Sequence, residues 1–314
     1  MNSEEKFSVC VAELGNTPKP STNDTNLLAD FVELLIVFSG ESGISYGDIK
    51  DRFFGEPDEN QTAEVDDKNE AYIRSIFNLI DERIAQFGDN YPFMKDEHGV
   101  FIIKEHLSSE EKIYICLLLS SSLDIFHQYQ TELTTDFETI CYETMKLFLP
   151  NATVKAFGKN SEYTGTAREK IIKLANDIGL EVNNHEIQEI NERNNQERGL
   201  DIVGWLPFKD TCQNKIVFLG QCACGKQYES KQHDARRYME YYIYYKTEPQ
   251  LTLFVPYSLI NPSCRKFYHS DLIERDYLIF ERLRILSLLE STENIFEHLR
   301  AKDLVEKCIG NYHV

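Results

Sequence analysis

Positive charge is scarce in this chain. Lys and Arg total 33 against 52 Asp and Glu, a formal net charge of −19. A protein that grips nucleic acid over its whole surface is usually basic, because phosphate neutralisation dominates that affinity. Any nucleic-acid contact here must therefore be local. Long apolar runs are missing too. No stretch of about 18 uninterrupted apolar residues exists, so no transmembrane helix is expected. The first residues, "MNSEEKFSVC", are polar and acidic, whereas a secretory signal needs a basic start and an apolar centre. Paired cysteine spacings are also lacking. Cys10, Cys116, Cys141, Cys212, Cys222, Cys224, Cys264 and Cys308 are scattered, and Cys116 and Cys141 sit inside apolar helical patterns. That usage fits reduced, buried thiols better than a disulfide framework. Together these absences predict a cytoplasmic protein with no membrane partner. Phosphate-binding loops, Gly-x-Ser-x-Gly elbows and His-Glu-x-x-His helices are absent as well, which removes the commonest nucleotide, acyl-transfer and zinc-hydrolase signatures.

What is present is enough to fold. The 314 residues are 42% hydrophobic, sufficient for one large domain or two ordinary ones. The first part reads as helices over 24–40, 44–55 and 70–87, with an acidic loop between the last two. In the third helix Ile73, Ile76, Phe77, Ile80, Ile84 and Phe87 make one apolar stripe. Two short strands around a His-Gly turn follow, in "YPFMKDEHGVFIIKE". Three helices and a hairpin resemble a winged helix over residues 1–105. The third helix would enter a DNA groove, but it sets Arg74 and Arg83 against Glu70, Asp81 and Glu82. A groove-reading helix should be clearly basic, so the module reads as an interaction or dimerisation unit. A connecting helix is expected over 106–130.

The second part has its own order. "TTDFETICYETMKLFL" (134–149) reads as an amphipathic helix and 151–158 as a short strand. Residues 165–179 and a polar piece over 183–198 form a helical insertion. "GLDIVGWLPF" (199–208) and "NKIVFLGQCAC" (214–224) read as strands. "QYESKQHDARRYMEYYIYYK" (227–246) reads as a helix and 249–259 as a further strand, with closing helices over 270–290 and 292–310.

Helix, strand, helical insertion, strand, strand, helix, strand is an order that resembles the core of the restriction-endonuclease-like PD-(D/E)XK nucleases, over about residues 131–260. Particular residues carry the resemblance. Glu138 stands in the first helix, Asp201 precedes two β-branched residues in "GLDIVGW", and Gln221 lies near the end of "IVFLGQCAC". A glutamine at this last place resembles the Mrr-like branch. The pattern departs at Ala223, where a lysine should stand two residues after Gln221. Strand alternation puts Gln221 and Ala223 on one face and Cys222 and Cys224 on the other. The missing lysine is then sought in Lys226, directly after the strand, or in Lys231. The latter falls on the stripe of Tyr228, Ala235, Tyr238, Tyr242 and Tyr245, which predicts a buried position beside the sheet.

The resemblance implies an α/β/α fold with a mixed sheet and a Mg²⁺- or Mn²⁺-dependent endodeoxyribonuclease, in a restriction or antiviral setting. Asp201, Gln221, Lys231, Lys226 and Glu138 would be its catalytic set. Asp201, Gln221, Glu138 and the Cys222 main-chain carbonyl would face the metal, since Mg²⁺ takes oxygen ligands. Arg236, Arg237 and His233 lie in the most basic stretch of the chain and would contact the phosphates of DNA. Residues 261–314 would complete the domain or meet a partner. Two alternatives stand beside this. One is a catalytically inactive nuclease-fold subunit that binds a basic protein or a second copy of itself. The other is a zinc site from Cys212, Cys222, Cys224 and His233, which lacks the usual paired spacing.

Overall fold

The first element is set by its own cap. Asn2 accepts from the Glu5 amide and Glu5 accepts from the Asn2 amide, a reciprocal pair that satisfies two otherwise orphaned donors. It starts helix α1 (Ser3–Asn16), which buries Phe7, Cys10 and Leu14 along one stripe. The sequence reading assigned no element there. The computed structural model describes residues 2–55, 62–192, 199–261, 264, 266–273, 275–290 and 294–310. The chain divides into two compact units. Unit one comprises Met1–Leu133, Tyr257–Lys266 and Thr292–Val314, and unit two comprises Thr134–Pro256 and Phe267–Ser291.

Unit one holds α2 (Thr25–Ser39), α3 (Tyr46–Phe54), α4 (Ala63–Phe87), an antiparallel hairpin of β1 (Phe93–Lys95) and β2 (Phe101–Ile103), and α5 (Ser109–Ser120). Helix α2 is buried over most of its length. The helix α4 begins at Ala63, seven residues before the expected start at 70 and inside the stretch read as an acidic loop, while residues 56–61 of that loop lie outside the described residues. The expected connecting helix stops at Ser120. Ser120 Oγ donates to the Cys116 carbonyl and Ser121 Oγ to that of Leu118, the kind of local side-chain bonding that competes with helix propagation. Arg83, one of two cations that a groove-reading helix would have offered, is 0% exposed and belongs to the interior.

Unit two is built on a five-stranded mixed sheet. Helix α6 (Gln130–Phe148) leads into β3 (Thr153–Ala156), then α7 (Ala167–Ile178), β4 (Glu181–Val182) and α8 (Asn184–Glu189). Next come β5 (Ile202–Trp205), β6 (Val217–Cys222), α9 (Gln232–Arg237), β7 (Ile243–Tyr244) and β8 (Gln250–Phe254). After the two-residue strands β9 (Ile260–Asn261) and β10 (Lys266–Phe267) come β11 (Tyr277–Phe280), α10 (Arg282–Leu289) and α11 (Lys302–Ile309), of which β9 and α11 belong to unit one. The sheet order is β11-β8-β6-β5-β3. Strand β5 runs antiparallel to both its neighbours, while β6, β8 and β11 are parallel.

Two helical expectations fail in unit two. Residues 270–290 contain a strand, β11, because "YLIF" is a short continuous apolar run with aromatic and β-branched residues. Such a run fits a buried strand as well as a helix, and here it pairs in parallel with β8. Residues 227–246 do not form one helix. A 3₁₀ turn (Tyr228–Lys231) precedes α9, a π-helical turn (Tyr238–Tyr242) follows it, and Ile243 already pairs with Val182. The aromatic and β-branched residues of "YMEYYIYY" favour that exit from helix. In unit one, the described part of the last expected helix, 294–310, is α-helical only from Lys302.

Candidate functional site

The register assigns each residue a face. Ile202 pairs with Gly220, Gly204 with Phe218, and Cys222 with Phe254, so these share one side of the sheet. Helix α6 covers that side. Its Phe148 packs edge-on against Phe280 at 5.0 Å, and Leu149 just beyond it lies against Gly204. Cys222 meets Cys141 of α6 in a side-chain hydrogen bond. The cysteines therefore back onto a helix, and Gln221 takes the opposite face with Leu219 and Leu253. Burial holds the Cys222 and Cys224 thiols well above their ordinary range, and Cys141, Asp201 and Glu138 add to it by charge or hydrogen bonding.

Glu138 lies one turn before Cys141 on α6, and reaches Gly158, just past the end of β3. Its Oε2 accepts from the Lys159 amide at 2.8 Å. Asp201 arrives at the same place from the start of β5. Its backbone is tied on both sides: Phe157 and Gly158 amides donate to its carbonyl, and its own amide donates to Gly220. Its Oδ2 accepts from the Cys222 amide at 2.7 Å, which leaves Oδ1 directed at Gly158. A Cβ on Gly158 would stand 2.7 Å from Asp201 Oδ1 and 2.8 Å from Glu138 Oε2. The two carboxylates thus face one another across a gap that a single methyl group would fill, and both residues are half-exposed.

Gln221 follows Gly220, whose carbonyl accepts from the Asp201 amide, so it lies on the strand beside Asp201. Gln221 is 5% exposed, and its Oε1 is buried with no hydrogen-bond partner. A buried orphan acceptor is costly, and in a folded chain it asks for a ligand or a water. The donors that converge at Gly158 are two carboxylates, and Gln221 Oε1 is a further buried oxygen on β6, the strand next to β5. That set fits a hard divalent cation, which is often bound by only one or two carboxylates together with water. Among the described residues no group of three or more His, Cys, Asp or Glu side chains is placed to hold a metal ion. The zinc alternative finds Cys212 and His233 exposed.

The cations are placed differently from expectation. Lys231 is exposed, its side chain at 54%, and pairs with Asp234 at 3.5 Å. Tyr228, Ala235, Tyr238 and Tyr242 of the stripe are buried, but Lys231 leaves it because α-helical periodicity begins only at Gln232, after a 3₁₀ turn with a tighter period. Its partner Asp234 packs on Gly199, where a Cβ would stand 2.9 Å from Asp234 Cγ and φ is +88°. Glycine is required there on both counts. Lys231 is thereby tethered beside the segment that enters β5 two residues before Asp201. Lys226 is exposed. Of the basic stretch, Arg236 is bound to Asp276 at 2.7 Å and Arg237 to Asp234 at 3.2 Å, while His233 is exposed.

Gly158 and Lys159 escaped the sequence reading. "AFGKN" carries no spacing that marks it, and the two residues matter only because β3 lies beside β5. The chain matches no protein-family model, no curated protein and no solved structure.

Proposed function

We propose that unit two is a metal-dependent nuclease domain of the PD-(D/E)XK kind, hydrolysing phosphodiester bonds of DNA, in a setting of defence against foreign DNA. The observation that carries this reading is the convergence of Glu138 and Asp201 on Gly158. The order α6, β3, insertion, β5, β6, α9, β8 supports it. So does the orphan Gln221 Oε1 on the strand next to Asp201.

Asp201, Glu138, Gln221 Oε1 and the Cys222 carbonyl would hold Mg²⁺ or Mn²⁺. A bound divalent ion supplies phosphate polarisation and an acidified water. The chain's own residues do the positioning. The Cys222 amide fixes one oxygen of Asp201 and the Lys159 amide one of Glu138, so the carboxylates keep their aim without reorganising. Gly158 keeps the gap open. Lys231, held by Asp234, offers positive charge toward a phosphate entering beside Gly199, with Lys226 as the second source. Unit one, read as winged-helix-like, would bind a protein partner or a second copy.

The test is cleavage of plasmid DNA by the full chain with Mg²⁺, beside Asp201→Ala. Wild-type cutting that the variant loses supports the nuclease. A specific observation favours a second reading, an inert nuclease-fold subunit that binds a basic partner. Ala223, at the lysine's place, is buried. If neither protein cuts with Mg²⁺ or Mn²⁺, alone or with a protein partner, that second reading replaces the first.

A further inference from the structure

Unit one carries an arrangement that the nuclease reading does not use. The Lys19 Nζ stands 4.3 Å from the ring centre of Tyr72, 5.8 Å from Phe53 and 5.9 Å from Phe54. Three rings surround one ammonium. Phe54 and Tyr72 meet edge to face at 6.0 Å, and Phe54 is 38% exposed, so the cluster opens to solvent. Lys19 has neither an ion pair nor a hydrogen bond among the described residues, in a chain with 52 Asp and Glu. A half-buried lysine in so acidic a chain would ordinarily settle beside a carboxylate. This one settles on aromatic faces. The Tyr72 hydroxyl is buried and has no hydrogen-bond partner.

We propose that Phe53, Phe54 and Tyr72 form a binding cage for an alkylated ammonium group, and that Lys19 is the resident occupant such a ligand displaces. Ring quadrupoles attract any cation. A primary ammonium, however, is a compact and strongly hydrated charge, and gives up that hydration poorly against three carbon faces. Methyl groups on the nitrogen replace the lost water with ring contact, which is why aromatic cages select methylated lysine and choline-like groups. The sequence around Lys19 suits a displaceable plug. It lies between Pro18 and Pro20, which keep the segment extended. Its root is held independently of the cage, since Arg52 donates to the carbonyls of Leu14, Gly15 and Thr17. Removing the Lys19 side chain should therefore empty the cage and leave the loop anchored.

The probe is tetramethylammonium chloride, titrated into the full chain and followed by the aromatic NMR resonances of Phe53, Phe54 and Tyr72, with sodium chloride at equal ionic strength as control. The expected result is saturable binding to Lys19→Ala, about tenfold tighter than to wild type, because a tethered side chain competes at millimolar effective concentration. Tyr72→Ala in the Lys19→Ala background should abolish it. Should Tyr72→Ala disturb the fold by circular dichroism, Phe54→Ala, at an exposed ring, gives the same readout. The proposal is overturned if folded Lys19→Ala binds no tighter than wild type. It is equally overturned if loss of a cage ring leaves the binding unchanged.

Discussion

Two pairs of carboxylates in this chain are handled in opposite ways. In unit one, Asp30 and Glu33 of α2 are sealed around Arg83, which lies 2.8 Å from Asp30 and 2.6 Å from Glu33. Tyr91 and Tyr114 donate to Glu33, and Ser121 to Asp30. Burial alone would lower the Arg83 guanidinium, but Glu33 and Asp30 outweigh it and hold it well above its ordinary value. Burial, with Glu33 beside it, likewise keeps the Tyr91 hydroxyl protonated far above its usual range. Two carboxylates share one guanidinium there, three hydroxyls donate to them, and the cluster is buried. In unit two, Glu138 and Asp201 are half-exposed, fixed by backbone amides, and aimed across a glycine at each other. The first pair specifies a fold. The second brings two carboxylates to one glycine at a half-exposed place.

The largest effect should come from breaking the sealed pair. Arg83→Met leaves Asp30 and Glu33 buried without their cation, and a broken buried ion pair costs about 3–5 kcal/mol. Urea unfolding of the two proteins measures it. A loss under about 1 kcal/mol would mean that the network is ornamental. Glu138→Gln should behave in the reverse manner. Its Mg²⁺-dependent cleavage should fall at least about a hundredfold, on the order of 2.7 kcal/mol in the barrier, while the midpoint of thermal unfolding stays within a few degrees. Equal losses of stability in the two variants would erase the distinction between the pairs.

How much of this was legible in advance follows from the range of the interactions. The strands β5, β6 and β8 were readable because alternation and turn residues are local. Helix α6 was readable from its stripe, and Glu138, Asp201 and Gln221 could be picked out on those elements. The convergence of the first two was not readable, since it depends on Gly158, which β3 brings to Asp201 through hydrogen bonds spanning more than forty residues. Strand β11 was read as helix because a four-residue apolar run has no period to choose by. Lys231 was read as buried because one helical period was extended through Tyr228, where a 3₁₀ turn precedes α9. Arg83 was counted as a surface cation because its carboxylate partners lie 53 and 50 residues away.

A smaller effect separates space from charge at the open pair. Gly158→Ala adds one methyl group where two carboxylate oxygens already stand closer than ordinary contact. The backbone at Gly158 is not in the left-handed region, and the two carboxylate oxygens belong to side chains that can move, although the Asp201 Cα at 3.2 Å must also give by a few tenths of an ångström. Stability should fall by no more than about 1 kcal/mol. The aim of Glu138 and Asp201 should be lost, and cleavage should drop about tenfold, as a misplacement of reacting groups predicts. Isothermal titration with Mg²⁺ gives a second readout. Unchanged affinity and unchanged cleavage would show that the gap is incidental.

The smallest effect tests a third kind of pair, exposed and locally matched. Arg236 binds Asp276 at 2.7 Å, with half of the aspartate side chain in solvent. The hydrogen bond from Arg236 holds the Asp276 carboxyl below its ordinary value, against a weaker opposing effect of burial. A depressed carboxylate contributes stability that is fully present above its unfolded pKa, about 3.9, and is lost as pH falls through the folded value. Because the pair is exposed, its coupling should be under about 1 kcal/mol at pH 7. A double-mutant cycle with Arg236→Gln and Asp276→Asn should find that coupling at pH 7 and a smaller one at pH 3. A coupling that survives acid unchanged would mean that the pair is held by a hydrogen bond that outlasts the charge of Asp276. The same cycle bears on the open site. If Arg236 gives up little by leaving Asp276, it can turn to a phosphate at small cost, and Arg236→Gln should then weaken DNA binding and flatten its salt dependence.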